Sequence, residues 1–306
     1  MPTRRRFLAT SAALAAGLGL LLSRPHALAQ PHTALLERKV PSTGEALPVI
    51  GAGTSGSFEV TAGSPEYQQL KAVLQVFFDG GGRVIDTSPN YGGADAILGQ
   101  LLEEGGWRER TFLATKIAAD SQAAAQAQWA QTLRSLRTDK VDLLQVHNLR
   151  DWQRQLPYAR ELKAQGKTRY VGVTHYTDGG LDELERILRR EPLDFIQIHY
   201  SVNAPGAART VLPLAQDKGV AVLINRAFDD GRLFARVKGQ PLPGWASEAG
   251  IGSWAQLFLK FALSHPAVTT VIPATSRPDR QRDQLKAGSG ALLDTARQQA
   301  LIKMFG

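Results

Sequence analysis

Asp86 and Tyr91 lie five positions apart, at and just past the end of a short apolar run, Val84-Ile85. Lys116 closes the next such run, Phe112-Leu113-Ala114-Thr115, and His147 closes the one after it, Leu143-Leu144-Gln145-Val146. Short apolar runs of this kind read as buried strands, and Pro89-Asn90 turns the chain outward after the first. Successive strands thus deliver a carboxylate, a phenol, an ammonium and an imidazole to their C-terminal ends. A buried lysine beside a tyrosine favours the tyrosinate, and a carboxylate beside the lysine orients it and keeps it charged. A phenol tuned in this way can give a proton to a carbonyl oxygen near neutral pH. Taken singly, each residue has a plainer use: packing for the tyrosine, a turn cap for the aspartate, a solvated strand end for the lysine, a core position for the histidine. The four in this order on consecutive strands are far more specific.

They can meet only if their strands are parallel neighbours, and the remaining chain supplies such a frame. Segments 37–40 and 47–50 flank Pro41-Ser42-Thr43-Gly44-Glu45 and read as a hairpin. Residues 49–54 form the first barrel strand. A helix over 65–79 is capped by Ser64 and ended by Gly80-Gly81-Gly82. Strands at 83–87, 111–116, 141–147, 169–173, 194–199, 220–224 and 269–272 then alternate with helices near 93–104, 121–137, 153–165, 179–190, 207–218, 253–264 and 278–287. A terminal helix spans 291–304, and a Gly- and Pro-rich insertion, 226–250, forms a loop over the barrel mouth. This alternation predicts an α/β protein, a (β/α)8 TIM barrel with an N-terminal β-hairpin, whose chemistry sits at the C-terminal ends of the strands.

Gly51-Ala52-Gly53-Thr54-Ser55-Gly56 also matches the dinucleotide fingerprint G-x-G-x-x-G. In that motif the helix opens at the glycines and an acid follows about 20 residues on. Here the helix starts only after Ser64-Pro65, and Asp86 lies 30 residues past Gly56. The barrel reading is therefore preferred.

The composition, 43% hydrophobic and 21% charged over 306 residues, is that of a globular protein. Thr3-Arg4-Arg5-Arg6-Phe7-Leu8 is a twin-arginine pattern. An apolar run to Leu22 follows, and Ala27-Leu28-Ala29 supplies a cleavage site. The run is shorter than the about 20 residues a membrane span needs. Residues 1–29 are therefore expected to be a twin-arginine signal peptide and 30–306 a single barrel domain, exported folded to the periplasm by the twin-arginine machinery. Loss of Arg4, Arg5, Arg6 and Arg24 with the leader lowers the formal charge from +8 to +4, too mild for a nucleic-acid partner. Cysteine is absent, which suits an oxidising compartment and excludes thiolate metal sites.

The chain resembles the aldo-keto reductase family: Asp86, Tyr91, Lys116 and His147 match its catalytic tetrad, and the likeness covers most of the sequence. The resemblance implies that the hairpin plugs the barrel bottom and that a nicotinamide dinucleotide binds, NADP being expected and NAD the alternative. Cofactor contacts are implied for Gly53, Thr54 and Asp86, and for Thr174 and His175, where the family has Ser-Asn gripping the nicotinamide amide. Gln197 stands where the family places a glutamine on the same amide. In Asn225-Arg226-Ala227-Phe228, where the family has an aromatic on the nicotinamide and a loop over the pyrophosphate, Arg226 or Phe228 takes part. Thr275, Ser276, Arg280 and Gln284 fall where a helix start meets the phosphate and adenine, and Ala274 where many NADP users carry lysine. A helix N-terminus suits phosphate on its own account.

Phe58, Trp152 and Phe228 are candidate substrate walls. The implied reaction is reduction of an aldehyde or ketone by a monomer without metal. A non-catalytic dinucleotide-binding or sensor protein on the same scaffold is the alternative. A metal-dependent sugar isomerase would need more strand-end carboxylates than this chain has.

Overall fold

The strand-forming runs pair in the order in which they occur. The computed structural model describes residues 34–306, and the expected leader, 1–29, lies outside the described residues. β1 (Glu37–Lys39) and β2 (Ala46–Pro48) form the antiparallel hairpin, with Glu37 opposite Pro48. β3 (Ala52–Gly53), β4 (Val84–Asp86), β5 (Phe112–Ile117), β6 (Val141–Val146), β7 (Thr168–Thr174), β8 (Phe195–His199), β9 (Ala221–Asn225) and β10 (Thr270–Val271) follow as one eight-stranded parallel sheet in sequence order. The sheet closes on itself. Ile50 bridges Val271 and Gly53 bridges Ala274, both parallel. Gly51 N donates to Val271 O at 2.8 Å, and Val271 N to Val49 O at 2.9 Å. This is the (β/α)8 barrel that the alternation of elements predicts.

The helices between the strands follow local rules. α1 (Pro65–Asp79) starts at Ser64, whose side chain accepts from Tyr67 N, with Pro65 in the first turn where no amide is needed. It buries Tyr67, Leu70, Val73, Leu74, Phe77 and Phe78, a stripe at helical spacing. α2 (Ala94–Glu104), α3 (Gln122–Ser135), α4 (Trp152–Ala164) and α5 (Leu181–Arg190) match their expected spans within a few residues. The expected helix over 207–218 is broken. A 3-10 turn, Gly206–Arg209, ends at Thr210 (φ −136°, ψ −54°), and α6 runs Val211–Asp217. Pro213 explains the break, because a continuous helix would drive its ring into the carbonyl of Arg209. The 226–250 insertion is not plain loop either. It carries α7 (Arg232–Arg236) and short turns, with Phe228 and Phe234 rings 5.0 Å apart and Phe234 5.9 Å from Phe258 of α8 (Trp254–Leu263). α9 (Pro278–Lys286) and α10 (Thr295–Phe305) complete the chain.

The barrel interior has two contrasting layers. Val84, Phe112, Leu143, Tyr170, Phe195, Ala221 and Leu223 form one buried cluster with Val40 and Leu47 of the hairpin region. The hairpin thus covers this end, and Tyr170 Oη donates to Glu45 Oε2 at 2.8 Å to fasten its turn. Two residues past Val84, Leu143, Phe195 and Leu223, on the same inward face, the side chains become polar: Asp86, Gln145, Gln197 and Asn225. Lys116 and Thr174 lie at or next to the ends of β5 and β7, and His147 and His199 follow Gln145 and Gln197 at the ends of β6 and β8.

The seam between first and last strands is tight. A Cβ on Gly51 would lie 2.7 Å from the Val84 carbonyl oxygen and 3.0 Å from Ile272 Cγ2. Gly51→Ala is expected to cost about 1–3 kcal/mol, read as a lowered denaturation midpoint with an unchanged slope. An unaltered midpoint would show that the seam is looser than described.

Candidate active site

The polar layer is built around one ion pair. Lys116 Nζ lies 2.5 Å from Asp86 Oδ2, with the two side chains 1% and 3% exposed. The ammonium also donates to Thr87 O at 2.8 Å. The other carboxylate oxygen, Asp86 Oδ1, accepts from Gln145 Nε2 at 3.1 Å and Gln197 Nε2 at 2.8 Å. Four adjacent or nearby strands therefore share the burial of two charges. Burial pulls the Lys116 pKa down, but the attraction of Asp86 and Tyr91 outweighs it and holds the amine above its ordinary value.

Tyr91 sits against this pair. Its ring centroid is 5.0 Å from Lys116 Nζ, and 5.8 Å from the imidazole of His147 in an edge-on arrangement. Sequence reasoning expects Lys116 to favour the tyrosinate. Lys116 does act in that direction, yet burial is the larger influence, Asp86 adds to it, and the Tyr91 pKa is raised. The phenol is thus protonated at neutral pH and able to donate. His147 Nδ1 is 3.1 Å from Ser88 Oγ. Burial, then Lys116 and Arg150, push the His147 pKa down to about 3, so the ring is neutral. A Ser88 hydroxyl donating to Nδ1 leaves the ring proton on Nε2.

These groups open into a cavity of about 850 Å³, a size suited to an organic ligand. Asp86, Tyr91 and His147 line it, as do Gly53, Thr54, Thr174, Gln197, Arg226, Phe228 and Arg280, while Lys116 lies beneath. Other candidates fall outside its wall. His175 turns its Nδ1 to Thr177 O at 3.1 Å and stacks on Tyr176. Thr275 Oγ1 accepts from Arg277 N, in front of α9. Ser276 is exposed, and Gln284 is buried within α9. Phe58 is 1% exposed and belongs to the hydrophobic core. Trp152 donates its indole N–H to Glu183 Oε1 at 2.8 Å.

Several residues that sequence reasoning did not single out complete the site: Ser88, Gln145, Asn225 and Tyr176. Gln145 and Asn225 carried a signal. Each is an amide on the inward register at the end of an apolar run, Gln145 two residues before His147. Arg226 adopts a left-handed φ of 51°. Its guanidinium donates to Asp230 Oδ1 at 3.0 Å and to Tyr176 O at 2.9 Å, so it is tied within the rim.

The structure is thus a closed parallel barrel with a Tyr–Lys–Asp–His group at the C-terminal ends of its strands. The sequence profile of the Aldo/keto reductase family matches residues 49–301. The chain belongs to that family, whose members are NAD(P)-dependent oxidoreductases.

Among solved structures, an aldo-keto reductase from Klebsiella pneumoniae in complex with NADPH is similar at a TM-score of 0.74 and 26% identity, over 89% of this chain and 96% of that one. A Klebsiella pneumoniae aldo/keto reductase in complex with NADP and acetate gives 0.72 and 26%, over 86% and 93%. The aldo-keto reductase YhdN of Bacillus subtilis is 27% identical over 213 residues, 65% of this chain and 63% of that protein, so less than two thirds of that relative is spanned.

Replacing Lys116 by methionine leaves a buried carboxylate without its cation. The expected loss is about 3–5 kcal/mol in urea unfolding, with much of it recovered in Lys116→Met combined with Asp86→Asn, which buries no net charge. A single variant as stable as the parent would show that the pair is not the organising charge of the site.

Proposed function

We propose that this protein reduces the carbonyl of an aldehyde or ketone with a reduced nicotinamide dinucleotide, NADPH in the first instance, and that Tyr91 is the general acid. The observation that carries this reading is the meeting of Tyr91, Lys116, Asp86 and His147 at the floor of a cavity of about 850 Å³. The residues present fit such a cofactor. Thr174, Gln197 and Asn225 offer polar groups beside the tetrad, and the exposed cation Arg280 lines the same cavity at the start of α9, suited to a phosphate. The family relatives bound to NADP and NADPH support the same assignment.

Bound there, a reduced nicotinamide supplies hydride to the carbonyl carbon and is itself oxidised. The remaining work belongs to the chain. As the carbonyl π bond breaks, its electron pair moves to oxygen, and the Tyr91 hydroxyl gives that oxygen its proton. Lys116 stabilises the tyrosinate left behind, which regains a proton from solvent. Neutral His147, protonated on Nε2, donates a hydrogen bond to the same oxygen and orients it. Asp86 keeps the ammonium fixed and charged. A scaffold used only for binding or sensing would not require this acid, and its assembly favours the enzyme.

The acid is effective while protonated, so reduction is expected to hold steady through neutral pH. It should fall only as pH climbs past the ordinary tyrosine value of about 10, because the Tyr91 pKa is raised. His147, at about 3, adds no limb near neutrality. Tyr91→Phe is expected to lose about 10²–10⁴-fold in turnover while dinucleotide affinity, followed by fluorescence quenching, is retained. Turnover at the parental rate in that variant would remove Tyr91 from the mechanism.

The twin-arginine pattern at Arg4-Arg5 supports a second part of the proposal: the protein is exported folded to the periplasm, with its dinucleotide already loaded. The cofactor would then be recycled in place between an oxidised and a reduced substrate. Mass spectrometry of protein purified from the periplasm should find one dinucleotide per chain. A clearly substoichiometric content would sink the idea of loading before export.

A further inference from the structure

Ser88 is bonded to both Tyr91 and His147. It lies buried in the turn between β4 and α2, two residues past Asp86. Its carbonyl oxygen accepts from Tyr91 N at 3.2 Å, which closes the turn that presents the phenol, with Pro89 in second place. Its hydroxyl oxygen is 3.1 Å from His147 Nδ1 and accepts from Asn90 N at 3.3 Å. The Tyr91 and His147 rings meet edge-on at the cavity. Both are therefore tied to one residue that is itself outside the cavity wall.

The hydrogens at Ser88 decide the state of the His147 ring. Among the described residues Ser88 Oγ has two partners, and the first, Asn90 N, is a donor. The hydroxyl hydrogen thus has one acceptor in reach, an unprotonated Nδ1. With Nδ1 protonated, two N–H groups would point at Oγ and the hydroxyl hydrogen would be buried without a partner, which is unfavourable. A ring turned half a revolution about its Cβ–Cγ bond would put carbon in place of Nδ1 and forfeit the contact. The main chain does not make this choice. Asn148 turns left-handed after His147 (φ 54°, ψ 33°) and donates its N–H to Thr174 Oγ1 at 3.3 Å, which fixes where the ring starts but not which edge faces the cavity.

We infer that Ser88 is a positioning residue for carbonyl reduction: its hydroxyl holds the His147 ring so that Nε2–H, rather than a bare nitrogen or a carbon, faces the substrate oxygen. The inference rests on the carbonyl-reductase reading above and adds the residue that keeps its hydrogen-bond donor loaded. In the other tautomer Nε2 would turn a lone pair toward an oxygen that is gaining negative charge. The hydroxyl acts only through His147, so its effect must vanish where His147 is absent.

Two measurements test this. Nitrogen NMR of protein labelled at its histidines, with the His147 signals assigned by their loss in His147→Ala, reads the tautomer without any substrate. Wild type is expected to show Nε2–H alone, and Ser88→Ala a mixture with the Nδ1–H form. A wild-type ring protonated on Nδ1, or a tautomer unmoved in Ser88→Ala, would overturn the inference. The second measurement is a double-mutant cycle on kcat, with para-nitrobenzaldehyde and NADPH as the probe pair. Ser88→Ala is expected to lower kcat about tenfold, the worth of one hydrogen bond, with KM for NADPH unchanged, and to cost nothing further in the His147→Ala background. A serine that merely packs the turn would cost the same factor in both backgrounds, or none in either, and each of those results would overturn the inference. A working enzyme with an unmoved tautomer or an additive cycle removes this role alone. A wild type that reduces no carbonyl compound removes the functional proposal and this role with it.

Discussion

A charge taken out of water is costly unless each of its hydrogen-bonding positions is met, and the upper half of this barrel is arranged to meet those of Asp86 and Lys116. Both oxygens of Asp86 are engaged, by Lys116 on one side and by Gln145 and Gln197 on the other. Lys116 gains a backbone carbonyl, Thr87 O, as well. The register makes this economical. Asp86 pairs with Ala114, so Lys116 stands two residues further along the adjacent strand on the same inward face, and Lys116 in turn pairs with Gln145. A one-residue slip of either strand would turn its charge outward and leave the other alone. The ion pair therefore constrains strand register as well as anchoring the polar layer.

The lower half bears the opposite character. Phe112, Tyr170 and Phe195 pack with ring centroids 5.3–5.9 Å apart, and the hairpin closes the end below them. Apolar packing is thus concentrated at the hairpin end, and the polar groups are grouped where the strands finish. The division is the usual one for this architecture. Here its residues can be followed strand by strand: Val84 then Asp86, Leu143 then Gln145, Phe195 then Gln197, Leu223 then Asn225.

That alternation is why the barrel and the tetrad could be read from the sequence: apolar runs ending in polar residues specify strands with one working end. The helix start at Ser64-Pro65 was equally readable, because capping is local. Apart from the break at Pro213, what escaped the sequence was set by distant atoms. Pro213 would have broken the 207–218 helix even on local grounds, but the order within 226–250 comes from Phe234 reaching Phe258 across the fold. Phe58 and Trp152 have the right chemistry for a ligand wall, yet one is taken up by the core and the other by Glu183. The direction of the His175 ring depends on Thr177 and Tyr176, and nothing in the linear pattern distinguishes a ring facing the cavity from one facing its own loop.

Tyr91 shows why residue type alone does not settle protonation. A lysine and an aspartate beside the phenol act with opposite sign, and burial acts with Asp86. The sequence displays the charges but not the desolvation, so it suggests a phenol drawn toward its anion, whereas the fold gives a phenol held as the acid. The distinction matters for the direction of proton flow. A residue that begins as tyrosinate has nothing to donate. A buried phenol whose anion would meet a fixed ammonium 5.0 Å from the ring centroid fits the proposed acid both before and after it gives up its proton. Lys116, held in place by Asp86, opposes the larger effect of burial on the Tyr91 pKa, so the ion pair that organises the strands also bears on the acid strength of the phenol beside it.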